Sequence, residues 1–325
     1  MTIYYVGTED IHFVQAGGAS VSTASNSFRE DWARCSLGAG QSKFWRAPLQ
    51  HMSVSTAEFW FTCRLMQQAS VISFSDWLRF LDGSTWRLAV YGRQGQIPQL
   101  LRHNNDDTTT TLASGTLPMF GPFVIGLVNI YVNLGTGTFR LYLDRELALD
   151  FTGNLTNSGQ YSAITGFDLY GGGFQAIANF SEICWRSDDT RKMIGVRAIW
   201  PYGDGVNMDW NGTISDVDEI TLDETNANYT DTIGLVQEYT IPPLPVLAGN
   251  VIIGGVMVGA RMATSTTDEA VVVRTGGTDY LSTGFDTSGA VEDRMNIWET
   301  NPDTLAPFTP DEVNDPDFNI GVAST

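Results

Sequence analysis

The hydrophobic pattern of this chain is that of short strands. In Asn129–Phe151, Ile130, Val132 and Leu134 alternate with Tyr131 and Asn133. After Gly135-Thr136-Gly137, Phe139, Leu141 and Leu143 alternate with Arg140 and Tyr142. Asp144-Arg145-Glu146 is a polar turn, and Leu147, Leu149 and Phe151 resume the pattern. A period of two with one apolar face predicts half-buried antiparallel strands, because successive side chains leave opposite faces of a sheet. Short Gly- or Asp-bearing turns between them predict a three-stranded meander.

The same reading extends both ways. Ile3–Val6, Phe59–Leu65, Val71–Phe74 and Trp86–Tyr91 read as strands, and Leu100–His103 with Thr109–Leu112 forms a hairpin around Asn104-Asn105-Asp106-Asp107. Phe123–Val128, Ile164–Tyr170, Phe180–Trp185 and Gly195–Trp200 follow. In Phe180–Trp185 a strict alternation sets Phe180, Glu182 and Cys184 against Ser181, Ile183 and Trp185. Roughly ten to twelve strands at this spacing suit a two-sheet sandwich. Pro201-Tyr202-Gly203-Asp204-Gly205 is the boundary candidate, since Pro and Gly interrupt strands. Beyond it, Leu235–Thr240 runs into the stiff Pro242–Pro245 connector, and Val251–Ala260 is continuously apolar, as a buried central strand would be, with a bulge or a close backbone approach expected at Gly254-Gly255. Ala270–Arg274 and Thr278–Ser282 pair through Gly276-Gly277; Met295–Glu299 is a further strand. Thr309-Pro310-Asp311-Glu312 carries a cap, Pro at the first helical position and Glu three after the cap, so a short helix starts there. Phe318–Val322 reads as a final edge strand. The expected organisation is an arm at 1–28, a sandwich at 29–200 and an acidic second β-sandwich at 201–325.

Composition sharpens this picture. At 325 residues, with 33 Gly and 42% hydrophobic residues, the chain has room for two cores and many turns. The charge is lopsided. Residues 1–195 hold 16 acidic and 14 basic side chains, whereas 196–325 hold 21 and 4. That excess argues against nucleic acid, where each phosphate contact wants Lys or Arg. No apolar run reaches the roughly 20 residues of a membrane span, and no secretory pattern opens the chain, so assembly in a cytoplasm is expected.

Candidate chemistry is sparse. Cys35, Cys63 and Cys184 lie far apart and read as buried thiols; His12, His51 and His103 are scattered. Nucleophile-elbow, phosphate-loop and zinc-helix motifs are absent, as is the carboxylate spacing of a retaining jelly-roll hydrolase; Asp216-Val217-Asp218-Glu219 is the nearest approach. These absences lead to an expectation of no enzyme, no catalytic residue, no cofactor and no metal site. The cluster Asp216, Asp218, Glu219, Asp223 and Glu224 supplies the oxygens calcium prefers, but it lacks a calcium-loop motif, and a solvated loop is the favoured reading. Four glycosylation sequons, at Asn154, Asn179, Asn211 and Asn228, carry little weight without a signal peptide. Trp60, Trp77 and Trp86 are the candidate sugar-stacking platforms, although a Trp in a sandwich is more often core.

The central hairpins resemble those of laminin-G-like and concanavalin-like sandwiches. Together with these hairpins, the N-terminal stretch Met1–Asp10 with Ser20–Thr23 and Phe28–Leu37, the run Glu182–Met193 and the closing Asn301–Val322 are similar to minor structural proteins of tailed bacteriophages. That resemblance implies an all-β chain, a laminin-G/concanavalin-like jelly-roll sandwich followed by a second sandwich. It also implies a location in the virion (tail, fibre or tip), self-association, contacts with other virion proteins and a possible host surface glycan as partner. A head decoration or head-fibre protein, a carbohydrate-active jelly-roll enzyme and a free carbohydrate-binding module are the alternatives.

Overall fold

The computed structural model describes residues 3–7, 14–16, 35–37, 44–46, 55–67, 75–92, 95–121, 124–170, 178–191, 199–217, 227–244, 252–263, 268–285 and 291–325. The chain divides into two compact units, Met1–Ala198 and Ile199–Thr325.

The first unit runs through β1 (Ile3–Gly7), β2 (Val14–Ala16), β3 (Cys35–Leu37), β4 (Phe44–Arg46), β5 (Glu58–Gln67), β6 (Ser75–Asp82) and β7 (Thr85–Gly92). It continues with β8 (Gln99–His103), β9 (Thr109–Ser114), β10 (Ile125–Asn133), β11 (Thr138–Leu143), β12 (Glu146–Thr152), β13 (Gly166–Tyr170) and β14 (Ala178–Arg186). One sheet has the order β1-β14-β5-β10-β11-β12, with β3 also on β14; the other is β2-β4-β13-β6-β7-β8-β9. The strand pairs are antiparallel. The first 28 residues thus supply β1, on β14, and β2, on β4.

The alternation of the meander fixes which side chains face inward. Val128, Ile130 and Val132 are buried opposite Cys63, Phe61 and Phe59 of β5, and Phe139, Leu141 and Leu149 are buried beside them. Aromatic rings fill the space between the sheets. Phe80 meets Phe59 at 5.1 Å and Phe61 at 5.8 Å, and Phe167 meets Phe61 at 5.0 Å and Trp185 at 5.9 Å, all edge-on. Edge-on pairs place the positive ring edge on a negative ring face and add about 0.5–1.5 kcal/mol each to simple burial. The two meander turns differ in how they turn. Gly137 has φ +68°, and a Cβ there would lie 1.9 Å from the Gly153 carbonyl oxygen. Asp144 and Arg145 both take positive φ, as a two-residue hairpin twist demands, without any glycine.

One strand departs from the expected alternation. Between Ser181 and Cys184 the β14–β5 register shifts, with Glu182 at φ +50°. The bulge inserts a residue, so Phe180, Ile183 and Trp185 are all buried, and Trp185 packs edge-on against Phe59 at 5.4 Å. Gly195–Val196 and the rest of 192–198 lie outside the described residues, as do 71–74.

The second unit holds β15 (Gly203–Met208), β16 (Val236–Thr240), β17 (Val256–Ala263), β18 (Glu269–Thr275), β19 (Thr278–Leu281), β20 (Val291–Trp298), the one-turn helix α1 (Pro310–Val313) and β21 (Asn319–Ser324). Its five-stranded sheet has the order β15-β16-β21-β18-β19, and β17 pairs β20 separately. Val258 and Met262 of β17 share a core with Val271, Val273, Phe308, Val313 and Phe318, so the two sheets form a sandwich. The division between the units falls at Ala198/Ile199, just before the boundary candidate Pro201–Gly205, whose Gly203 already opens β15. Two expectations are corrected here. Val251–Ala260 is not one buried central strand: the strand starts at Val256, after Gly254-Gly255, pairs among the described residues with β20, and leaves Ile252 76% exposed. The last strand is not an edge, since β21 lies between β16 and β18. The helix start matches expectation: Thr309 Oγ1 accepts from the Glu312 amide at 3.2 Å, and Glu312 accepts from the Thr309 amide at 2.7 Å.

Candidate functional site

The three tryptophans separate by environment. Trp77 is 1% exposed and stacks with Phe180 in the core, so it is no platform. The register shift between Asp76 and Leu78 turns it inward. Trp60 lies on the outer face of the first sheet, beside Tyr131 at 5.0 Å and Tyr142 at 6.1 Å. The Arg191 guanidinium sits over both Trp60 and Tyr142, at 5.2 and 4.9 Å, and Asp189 holds it through both carboxylate oxygens. The chain therefore covers this platform with its own arginine.

Trp86 stands on the outer face of the second sheet. Phe80 and Leu88 point to the core, and the register shift between Phe80 and Leu81 brings Trp86 to the side of Arg79. The Arg79 guanidinium lies 5.3 Å from the Trp86 ring centre and pairs with Asp76. His103 meets the Trp86 ring at 4.6 Å, edge to face, and its Nε2 lies 3.3 Å from Asp107 Oδ1. Burial of the imidazole lowers its pKa, the strongest of several influences, so it is neutral at pH 7. Its Nδ1 is buried without a hydrogen-bond partner. Next in line, Arg87 donates to Asn105 Oδ1 at 2.8 Å, pairs with Asp82 at 3.3 Å and lies 5.4 Å from the Tyr161 ring centre.

A hollow of about 530 Å³ opens beside this group, lined by Asn104, Asn105, Asp106, Asn157 and Gln160. Two loops build it. The β8–β9 turn is tied by Asn104 Nδ2 donating to Thr108 Oγ1 and Thr110 Oγ1, both at 2.9 Å, and by Thr108 Oγ1 donating to Asp106 at 2.6 Å. Those Thr108 bonds hold the Asp106 carboxyl below its ordinary range. The loop after β12 turns at Asn157 and Ser158, both at positive φ, and Gln160 Oε1 accepts from the Asn105 amide at 3.3 Å. An amide both donates and accepts, so four amides and one carboxylate around one hollow match a ligand rich in hydroxyl groups.

Other expected candidates fare differently. Asp216 caps a short 3₁₀ turn, accepting from the Thr213 amide at 2.7 Å, while Asp218, Glu219, Asp223 and Glu224 lie outside the described residues, as do His12 and His51. No group of three metal-ligating side chains occurs among the described residues. Cys63 and Cys184 are buried free thiols; burial raises both, Cys184 to about 12, which leaves them unreactive. No described helix is long and apolar enough to cross a membrane.

Neither a family model nor a curated protein sequence matches this chain. Solved structures do show likeness. The carbohydrate-binding module CBM66 from Bacillus subtilis is 12% identical, with 54% of this chain and 96% of that one covered, at a TM-score of 0.36. A Bacillus licheniformis β-glucanase is 10% identical, with 55% and 92% covered and a TM-score of 0.38. The alginate lyase AlyC3 is 9% identical, with 47% and 74% covered and a TM-score of 0.34. Enzymes thus stand among the similar folds beside a binding module, and the expectation that this chain is not an enzyme is withdrawn.

Proposed function

We propose that the first unit binds a neutral glycan, with one sugar against Trp86 and its neighbour in the amide-lined hollow. The observation that carries this reading is the juxtaposition of an outward tryptophan with a hollow built of Asn104, Asn105, Asp106, Asn157 and Gln160. A pyranose offers an apolar face for a ring and hydroxyls for amides. The cations here are already matched, Arg79 by Asp76 and Arg87 by Asp82, and His103 is neutral. That balance favours an uncharged saccharide over an acidic one. Calorimetric titration with neutral glucan, mannan and galactan oligosaccharides, and with a uronic acid oligomer for contrast, tests it. A neutral oligomer should bind, and Trp86→Ala should weaken it at least ten-fold while Trp60→Ala leaves it unchanged. No neutral ligand, or indifference to Trp86→Ala, overturns the reading.

The finer setting we propose is a multicopy particle, the phage virion that the sequence resemblance implies, where one weak site per chain gains from repetition. Light scattering of the purified chain decides this part: a stable trimer or hexamer is expected, and a monomer at all concentrations counts against it.

A further inference from the structure

We infer that the Glu238–Asp279 carboxyl pair is a proton-operated latch fastening the middle of edge strand β15 to the second unit's sheet. The β15–β16 ladder is interrupted where the pair sits. Asp204 faces Tyr239 and Met208 faces Gln237, so Gly205, Val206 and Asn207 share a single opposite residue, Glu238. Gly205 presses directly on it; a Cβ there would lie 2.6 Å from the Glu238 backbone carbon and Cβ. In place of ladder bonds, the Glu238 carboxyl takes over. Its Oε2 accepts from the Asn207 amide at 2.9 Å, and Asn207 Nδ2 donates to Asp279 Oδ2 at 2.8 Å. Asn207 therefore clips β15 to both carboxyls, one on β16 and one on β19 at the far edge.

The charges around the pair make the clip depend on a proton. Glu238 is fully buried, and Asn207 bridges its carboxyl to that of Asp279. Arg274 pairs with Asp279 and is the cation facing the two carboxyls, so with both ionised one negative charge is uncompensated in a buried site. The other Glu238 oxygen, Oε1, is buried and accepts no hydrogen bond. A proton on the pair removes the repulsion and turns one carboxyl into a donor to the other. Burial and the Asp279 contact accordingly hold Glu238 well above the usual carboxyl range. Glu269, another raised carboxyl of this unit, lies at the opposite end of β18, level with Ser324, under the influence of Arg294. It belongs to a separate titration.

Hydrogen exchange of the intact chain at pH 5.5 and 8.5, corrected for intrinsic rates, reads the latch directly. Amides of residues 203–208 should lose protection by at least about ten-fold at pH 8.5, as an ionising group with a raised folded-state pKa requires. Glu238→Gln keeps an acceptor for Asn207 and a donor to Asp279 without the charge, and should protect β15 equally at both pH values. Asp279→Asn should do the same if the first variant fails to fold. Equal protection of β15 in the unmodified chain at both pH values overturns the latch. So does a loss spread evenly over β16, β18 and β21, or a pH response that survives in either folded variant.

Discussion

Trp60 and Trp86 look alike as letters in a strand, and both turn away from the core. Each carries an arginine against its ring, Arg191 on Trp60 and Arg79 on Trp86; what differs is that Trp86 stands beside the amide-lined hollow. Trp60 is enclosed by Tyr131, Tyr142 and the Arg191 guanidinium, so it acts in stability. Trp60→Ala should lower the first unit's stability by about 2 kcal/mol, the loss of a half-buried ring with its cation and ring contacts, measured by denaturant unfolding. Sequence alone offered Trp86 as a stacking platform but had no means of finding the hollow. Asn104 and Asn105 come from one turn, Asn157 and Gln160 from another about 50 residues on, and no spacing rule links them. Trp77 was misleading for a local reason: a one-residue register shift reverses which face a side chain occupies. Backbone constraint is more legible. Gly137, flagged by its turn, has a left-handed φ and a carbonyl where a Cβ would go, so Gly137→Ala should destabilise the β11 hairpin by more than about 1 kcal/mol.

The elements that were readable are those whose signals are local. The meander β10-β11-β12 pairs as its one-sided alternation requires, with Ile130 opposite Leu141 and Leu141 opposite Leu149. The β18–β19 hairpin follows its Gly276-Gly277 turn. Helix α1 stands where its capping box begins, and because four residues give little helix of their own, the cap matters. Thr309→Ala should cost about 1 kcal/mol in the second unit, read as a drop in its melting temperature. The misread elements depended on partners distant in sequence. An apolar run cannot say whether it lies mid-sheet, and among the described residues Val256–Ala263 pairs with β20. Nor does a chain's last strand announce that it will insert between two others, as β21 does between β16 and β18. The bulge at Glu182 is similar: only the ladder with β5 shows that two buried aromatics, Phe180 and Trp185, break the period of two.

At the scale of the molecule, the charge asymmetry has a definite thermodynamic consequence. The first unit is nearly balanced, whereas residues 196–325 carry 21 acidic against 4 basic side chains. Two of those four cations are committed inside the second unit: Arg274 pairs with Asp279, and Arg294 is buried against the Phe285 ring. Self-repulsion is therefore concentrated in one unit, and screening should relieve it there. Acid should help the same unit for a second reason. Burial raises Glu269 to about 7, only partly offset by Arg294, and Glu238 is raised as well. A carboxyl with a folded-state pKa above its unfolded value near 4.5 holds its proton more tightly when folded. Its contribution is complete below about 4.5 and is lost as the pH rises through about 7. Calorimetric scans of the whole chain should therefore resolve the second unit's transition moving up between pH 8 and pH 5 and between 20 mM and 500 mM salt. The first unit's transition should move little with salt. The two causes are separable, since Glu269→Gln combined with Glu238→Gln should flatten the pH response while leaving most of the salt response. A transition of the second unit that ignores both variables would mean that its acidic groups are already compensated, by association with a basic partner or with another copy.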